Sequence, residues 1–491
     1  MSYSLLKSGS DIRGVASDIF EKVINLTDEA VYDISAAFVC YLADSLSISA
    51  DEMKISVGHD SRISADRICK TVIKALVDAG VNVVDCGLSS TPAMFMTTVM
   101  LDCIAAIQIT ASHHPADRNG IKFFLRSGGL NGTQIGEILD LAENKTSYIS
   151  DNVGNCSKYD FMSDYAAMLR KKICDAVGKT EEEQPLKNYH IIVDAGNGAG
   201  GFYAYDVLAK LGADISGSQY LEPDGMFPNH IPNPENEKAM ESICNAVVKN
   251  NADLGIIFDT DVDRAGCVDR FGEEINRNRL IALASAIVSK ENPGATIVTD
   301  SVTSDGLKAF IEDVLGCKHY RYKRGYRNVI DKSIQLCDEG INSPLAIETS
   351  GHAALRENYF LDDGAYLITR IVIEVAKGTD IDELLKPLKC PAISQEFRFD
   401  IIDDNFKEYG NYVLKELEKF AAGQKDWRIA DDNREGIRVC VPEGWFLLRL
   451  SVHDPVMPIN LESNVIDGNE EIIAVLRAFL SRFEKLKLNN F

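Results

Sequence analysis

The segment Thr110-Ala111-Ser112-His113-His114-Pro115 follows the apolar run Cys103–Ile109. Loops at the carboxyl ends of strands in α/β sheets are where ligands bind, because helix amino-termini and unpaired amides converge there. Ser112 is therefore a candidate nucleophile, although the same residues also read as a plain turn closing a strand. Asn119-Gly120-Ile121-Lys122 follows closely and reads as a turn that could bring an ammonium group back toward the serine. His113 and His114, adjacent in an extended loop, would point to opposite sides, which argues against a shared metal site. A second loop, Asp259-Thr260-Asp261-Val262-Asp263-Arg264, follows the strand candidate LGIIF. Alternating carboxylates can converge on one hard divalent cation, and oxygen ligands suit magnesium. A calcium loop of the EF-hand type would need Gly at its sixth position and Glu at its twelfth, where Arg264 and Arg270 stand.

Three further segments compete or add to these. Gly196-Asn197-Gly198-Ala199-Gly200-Gly201 fits G-x-G-x-x-G after YHIIVD, with Asp214 at the distance of a ribose-binding acid. It reads either as the dinucleotide site of an oxidoreductase or as a tight strand-to-helix crossover. Glu348-Thr349-Ser350-Gly351-His352 follows another short apolar run. A carboxylate there can accept two hydrogen bonds from vicinal hydroxyls, and His352 can move a proton near neutral pH. Arg321 to Arg327 gathers four cations into seven residues, either a solvated turn or a phosphate contact.

The elements that must position these residues alternate from Met53 onward between short β-rich runs and longer amphipathic stretches, an α/β pattern. It restarts twice, giving three α/β units. The last hundred residues differ, with strand candidates EFRFDI, GIRVCV and WFLLRLSV and a helix from Glu470, an α+β unit. A length of 491 residues exceeds what one core needs. With 45% apolar and 25% charged residues the chain should fold, and its net charge of −23 repels nucleic acid and anionic membranes. No secretory signal is visible at the start. The longest weakly polar stretch, Leu280–Ser289, is about half of the roughly 20 residues a membrane span needs. A soluble cytoplasmic protein is expected. Twelve cysteines without a C-x-x-C pair argue against a zinc site and a disulfide framework.

Taken in order, these segments resemble the α-D-phosphohexomutase family of phosphoglucomutases and phosphomannomutases. Ser10-Asp11-Ile12-Arg13-Gly14 resembles its amino-terminal arginine motif, Val57 to Arg62 its next strand end, and Thr110 to Pro115 its phosphoserine loop, with His114 in place of the usual Asn. Pro223 to Pro234 resembles another family segment, Asp259 to Arg264 the magnesium loop, and Glu348 to His352 the sugar loop, with Ile347 replacing a glycine. The resemblance implies three similar α/β domains with mixed sheets (1–153, 154–275, 276–392) and a C-terminal α+β domain (393–491) around a central cleft. It implies interconversion of hexose 1-phosphate and 6-phosphate, glucose and/or mannose, through a phosphoserine at Ser112 and a hexose 1,6-bisphosphate that also serves as activator. Mg2+ would be held by Asp259, Asp261 and Asp263 with Ser112. Arg13, Lys122 and Arg264 would surround the serine, with His113 or Lys122 on one side and His352 on the other as acid and base. Lys323, Glu348, Ser350, Arg449 and Ser451 would bind substrate. The family's phosphate loop is altered here, since Val452 and His453 replace side-chain donors and Asn460 stands for a later arginine. Phosphate grip is then either weakened, leaving a slow paralogue that binds sugar phosphates, or rebuilt from His453 and the Arg321 to Arg327 turn. The expected partner is a small sugar phosphate, without nucleic acid or membrane, on a monomer or homodimer.

Overall fold

A computed structural model describes every residue except Met1, Ile149, Asp151, Val452, His453 and Asn490. The chain divides into two compact units, residues 1–276 with 350–381, and residues 277–349 with 382–491.

The first unit opens with an eight-stranded mixed sheet. Its strands are β1 (Lys7–Ser8), β2 (Asp11–Val15), β3 (Lys54–His59), β4 (Asn82–Leu88), β5 (Ala105–Ile109), β6 (Arg118–Leu125), β7 (Gly128–Gly129) and β8 (Cys156–Lys158). Their order is β1-β2-β6-β5-β3-β4-β8, with β7 on β6. β3, β4, β5 and β8 run parallel, and β6 returns antiparallel beside β5. β5 is buried at every position, as expected of a central strand covered by helices on both faces. The carboxyl ends of β3, β4 and β5 therefore deliver Asp60, Ser90 and Thr110 to one edge. At the end of β4, Ser90 accepts the amide of Ala93 and starts the helix Thr91–Met100, with Pro92 in its first turn.

A second sheet has β9 (Ile191–Asp194), β10 (Leu254–Phe258), β11 (Ala265–Asp269) and β12 (Glu274–Ile275), in the order β12-β11-β10-β9. β10 and β11 form an antiparallel hairpin with Phe258 opposite Ala265, so Asp259 to Arg264 is its loop. The glycines after β9 serve close packing. A Cβ on Gly198 would lie 2.5 Å from the carbonyl oxygen of Thr260, one on Gly201 2.3 Å from that of Leu221, and one on Gly196 2.7 Å from Pro232 Cβ. The faces a pyrophosphate would need are covered by this chain's own backbone, and Asp214 pairs with His190 in a β-bridge. The crossover reading is the one the structure supports. The unit closes with the hairpin Ala353–Leu355 and Leu361–Asp362 and the helix Gly364–Ala376.

In the second unit, strands Thr296–Thr299, Lys318–Arg321 and Leu345–Ile347 run parallel. A six-stranded antiparallel sheet follows, from Ile393–Ile401 to Leu486–Lys487, covered by helices Phe406–Ala422 and Gly468–Leu480. Phe399, Val413, Leu417, Phe446, Leu461, Leu476 and Phe479 fill its core, each worth about 1.5–3 kcal/mol of burial. The strand expected over 445–452 ends at Leu448, so Arg449 to Ser451 lie beyond it. All twelve cysteines are free thiols, and only Cys156 and Cys390 are exposed. Among the described residues no helix is long and apolar enough to cross a membrane.

Arg321 corrects the expectation for the basic turn. It is buried and spends its guanidinium on Thr303 (3.2 Å), Asp432 (2.7 Å), Asp305 (2.8 Å) and the carbonyl of Ser304 (2.8 Å). An arginine that donates four of its five N–H groups within the fold is a structural tie, not a phosphate ligand. Beside it, Arg438 stacks 3.5 Å from the Trp445 ring, and the indole donates to Glu462 at 2.9 Å. Burial pushes Glu462 up to about 7 from its ordinary 4.5. Its folded form thus holds a proton more tightly than its unfolded form, so its contribution to stability is full below about pH 4.5 and is lost as pH rises through about 7. Glu462→Gln is expected to unfold at the wild-type temperature near pH 5 and at a higher temperature at pH 8, as followed by circular dichroism.

Candidate functional site

Ser112 takes the left-handed backbone conformation (φ 51°), and its amide donates to Thr110 Oγ1 at 2.9 Å. This turn presents Oγ to the hairpin loop of the second sheet. Oγ donates to Asp259 Oδ2 at 3.0 Å and accepts from Arg264 Nη2 at 2.9 Å. His113 Nδ1 lies 3.3 Å from the same Oγ. The left-handed turn also overturns the extended-loop expectation, since the His113 and His114 rings come within 5.4 Å of each other.

Lys122 arrives differently from its sequence reading. Asn119 to Lys122 is not a turn but part of β6, with Lys122 opposite Gln108. The antiparallel return of β6 carries its ammonium to Asp263 Oδ2 (2.6 Å) and Asp261 Oδ2 (3.2 Å). Arg13, on β2 opposite Gly120, donates to Asp11 at 2.8 Å. Burial works against its charge, but Asp11, Asp261 and Asp263 outweigh that and hold it firmly protonated.

Asp259, Asp261 and Asp263 are all buried and can bring one oxygen each within 4.8 Å of the others. Val262, between two of them, is forced to φ 66°, a costly conformation for a β-branched residue. Burial pushes Asp259 far above the usual carboxylate range, reinforced by Asp263 and Asp261. Burial also raises Asp263, but Lys122, His352 and Arg264 outweigh it and hold this carboxyl below that range. The Oδ1 atoms of Asp261 and Asp263 are buried without a hydrogen-bond partner. Buried acceptors of this kind are rarely left unpaired, and three carboxylates with spare oxygens fit a hard divalent cation.

His352 is bridged in backbone to Arg264, with Nε2 3.9 Å from Asp263 and 3.6 Å from Asp362. Ser350 Oγ lies 2.9 Å from its Nδ1. Burial lowers His352 to about 3 and His113 to about 2, in both cases with Arg264 contributing. Both rings are therefore held neutral at pH 7 and resist protonation, and His113 Nδ1 lies 2.7 Å from Arg264 Nη2.

Three residues take positioning roles that the sequence did not assign, two of them, Arg62 and Asn233, inside segments that carry the family resemblance. Arg62 donates to the carbonyl oxygens of Ser112, His114 (2.6 Å), Pro115 (2.7 Å) and Arg118 (2.9 Å), so one guanidinium shapes the whole serine loop. It pairs with Asp60 at 3.3 Å, and burial dominates both partners, raising Asp60 to about 6 and lowering Arg62. Thr91 ties Asp261 by its hydroxyl (2.5 Å) and its amide (2.8 Å). Asn233 accepts from Arg264 Nη1 at 3.1 Å. The signals available were a charged pair just past β3 and a Ser-Thr-Pro cap past β4, neither of which names its distant partner.

In the second unit, buried Glu348 accepts the amide of Gly325 at 2.6 Å, while Lys323 is exposed. Glu435 accepts from Ser301 Oγ (2.5 Å) and the amide of Arg324 (3.1 Å). Burial lowers Arg449, as does Arg324 nearby, against the carboxylates Glu435, Glu396 and Asp300. Ser451 Oγ accepts the amide of Asp454 at 3.3 Å. Val452 and His453, the latter expected to help rebuild the phosphate grip, lie outside the described residues. Asn460 donates to Glu396 at 2.9 Å.

Three family models, described as phosphoglucomutase/phosphomannomutase alpha/beta/alpha domains I, II and III, match residues 5–149, 163–272 and 276–389. The chain belongs to this family. A phosphomannomutase/phosphoglucomutase of Pseudomonas aeruginosa is 30% identical over 95% of this chain and 93% of its own length. A phosphoglucomutase of Neisseria meningitidis is 27% identical, covering 94% of each chain. The crystal structure of a phosphoglucomutase/phosphomannomutase family protein from Burkholderia thailandensis superposes with a TM-score of 0.80 at 25% identity, over 99% of this chain and 98% of that one. As a phosphoglucomutase/phosphomannomutase family member the chain is an isomerase of hexose phosphates, a phosphotransferase mutase. Arg62 is the guanidinium that holds the Ser112 loop in shape. Arg62→Lys keeps the charge but loses the fork, and should lower kcat about 100-fold with KM little changed, as steady-state turnover of glucose 1-phosphate would show.

Proposed function

We propose that the chain interconverts hexose 1-phosphate and hexose 6-phosphate, with glucose and/or mannose as the sugar, by way of a phosphoserine at Ser112 and a hexose 1,6-bisphosphate. The observation that carries this reading is the meeting at Ser112 Oγ of Asp259 (3.0 Å) and Arg264 (2.9 Å), beside three buried carboxylates. In the forward step the Oγ–phosphorus bond of the phosphoserine breaks, a bond from a sugar hydroxyl oxygen to phosphorus forms, and the hydroxyl proton passes to a base. The bisphosphate then turns round, and its other phosphoryl group returns to Ser112 Oγ.

Asp259, Asp261 and Asp263 would hold Mg2+ with an oxygen on Ser112, and the ion would supply Lewis-acid stabilisation of the transferring phosphoryl oxygens. Arg264 hydrogen-bonds Oγ directly, and Lys122 and Arg13 add the positive charge that phosphoryl transfer requires. His113 stands beside Oγ and His352 beside Asp263, and their positions make them, with Lys122, the candidates for acid and base. Glu348 and Ser350 are assigned to the sugar hydroxyls, Lys323 to a neighbouring substrate contact, and Arg449 and Ser451 to the non-reacting phosphate. The relatives named phosphomannomutase/phosphoglucomutase and phosphoglucomutase support glucose and mannose. The net charge of −23 supports a small-molecule partner over nucleic acid. One feature favours a second reading, a sugar-phosphate binder of slow turnover: Asn460, where the family pattern has arginine, is held by the carboxylate Glu396.

The decisive experiment supplies glucose and mannose 1-phosphates with a catalytic amount of the 1,6-bisphosphate. Rapid conversion supports the mutase, and bound substrate without conversion supports the binder. Ser112→Ala should lower kcat at least about 1000-fold while retaining substrate binding; undiminished turnover rejects the covalent route. Asp261→Ala should abolish magnesium binding in titration calorimetry and with it magnesium-dependent turnover, and full activity in a chelator contradicts the metal assignment.

A further inference from the structure

His230 has no part in the chemistry above, yet its surroundings are specific. Its Nε2 lies 2.9 and 3.1 Å from the two carboxylate oxygens of Asp194, and its Nδ1 3.0 Å from the carbonyl oxygen of Ile231. Both partners only accept, so both ring nitrogens must donate and the ring must be an imidazolium. The side chain is 3% exposed and Asp194 is fully buried. Burial disfavours the charge, but Asp194 outweighs it and the group titrates above its ordinary value. Asp194 closes β9 and also accepts the amide of Gly196 (2.8 Å) and the side chain of Gln219 (2.7 Å), while Tyr220 meets the imidazole edge-on at 5.2 Å.

The segment that His230 anchors is the one that reaches Arg264. Asn229 donates to Asn197 Oδ1 at 2.8 Å. Three residues past His230, the amide oxygen of Asn233 accepts from the Glu235 amide (3.0 Å) and from Arg264 Nη1 (3.1 Å). The guanidinium is planar and Asp259 holds its Nε (3.1 Å) and Nη2 (2.8 Å), so Asn233 at Nη1 is the contact from the opposite side that completes the aim of Nη2 at Ser112 Oγ (2.9 Å). We propose that His230, clamped between Asp194 and the Ile231 carbonyl, is a positioning residue that sets Arg264 against Ser112 through Asn233. This rests on the reading of Ser112 as the phosphoryl carrier. As pH rises through the titration of His230, a neutral ring can donate to only one of its two acceptors. The 229–233 segment then loosens, Arg264 turns, and kcat falls while KM holds.

The test compares pH profiles of the full-length, magnesium-loaded enzyme on glucose 1-phosphate with the NMR titration of the His230 ring. The alkaline fall in kcat should coincide with that titration, and Asp194→Asn should move both to lower pH. Asn233→Ala should lower kcat about 10-fold, abolish the alkaline fall, and leave KM and the His230 titration in place. His230→Gln combined with Asn233→Ala should be no slower than the slower single variant. The proposal is overturned if Asn233→Ala keeps the alkaline fall, if the two losses multiply, or if the wild-type fall and titration occur at different pH. That last comparison needs no variant to fold. A wild-type enzyme without turnover would overturn both readings, whereas turnover with an unmoved profile overturns this one alone.

Discussion

Three carboxylates within 4.8 Å of one another and out of contact with water set the terms for everything around them. At such separations in a low-dielectric interior, like charges repel by several kcal/mol, so the loop closes only where positive charge is brought to it. Lys122 comes from β6, Arg264 from the loop's own end, and Arg13 contributes from β2. The same cations that make the acid cluster tolerable are those a transferring phosphoryl group would meet. Stability of the loop and readiness for an anionic substrate arise from one charge balance.

That balance needs two sheets. Ser112 stands just past the end of β5, the acids between β10 and β11, and Thr91, at the end of β4, ties the two by holding Asp261 through both hydroxyl and amide. Backbone strain gathers at the junction, with Ser112 and Val262 both at positive φ. Such strain persists where surrounding bonds over-determine the conformation, and here Arg62, Thr110 and Arg264 do so.

Much of this was legible in the sequence because the residues concerned carry their signal locally. Ser112 and the three aspartates each follow a short apolar strand, and both groups lie where strand ends put them. Lys122 was assigned to the right neighbourhood by the wrong element, since a turn and an antiparallel strand can equally return a side chain toward residue 112. Arg321 read as a free cation because sequence does not reveal that Asp305 and Asp432 fold around it. Arg62 and Asn233 stood inside resembling segments, yet their roles were illegible for a related reason: their partners are main-chain oxygens and a guanidinium dozens of residues away, brought near only by the tertiary fold.

The clamp made by Arg62 addresses carbonyl groups alone, and every residue type carries the same carbonyl. The loop's trajectory is consequently indifferent to the side chains at 113 and 114. The side chains there can therefore be committed to chemistry, as His113 is beside Ser112 Oγ, without also having to hold the path that aims the serine.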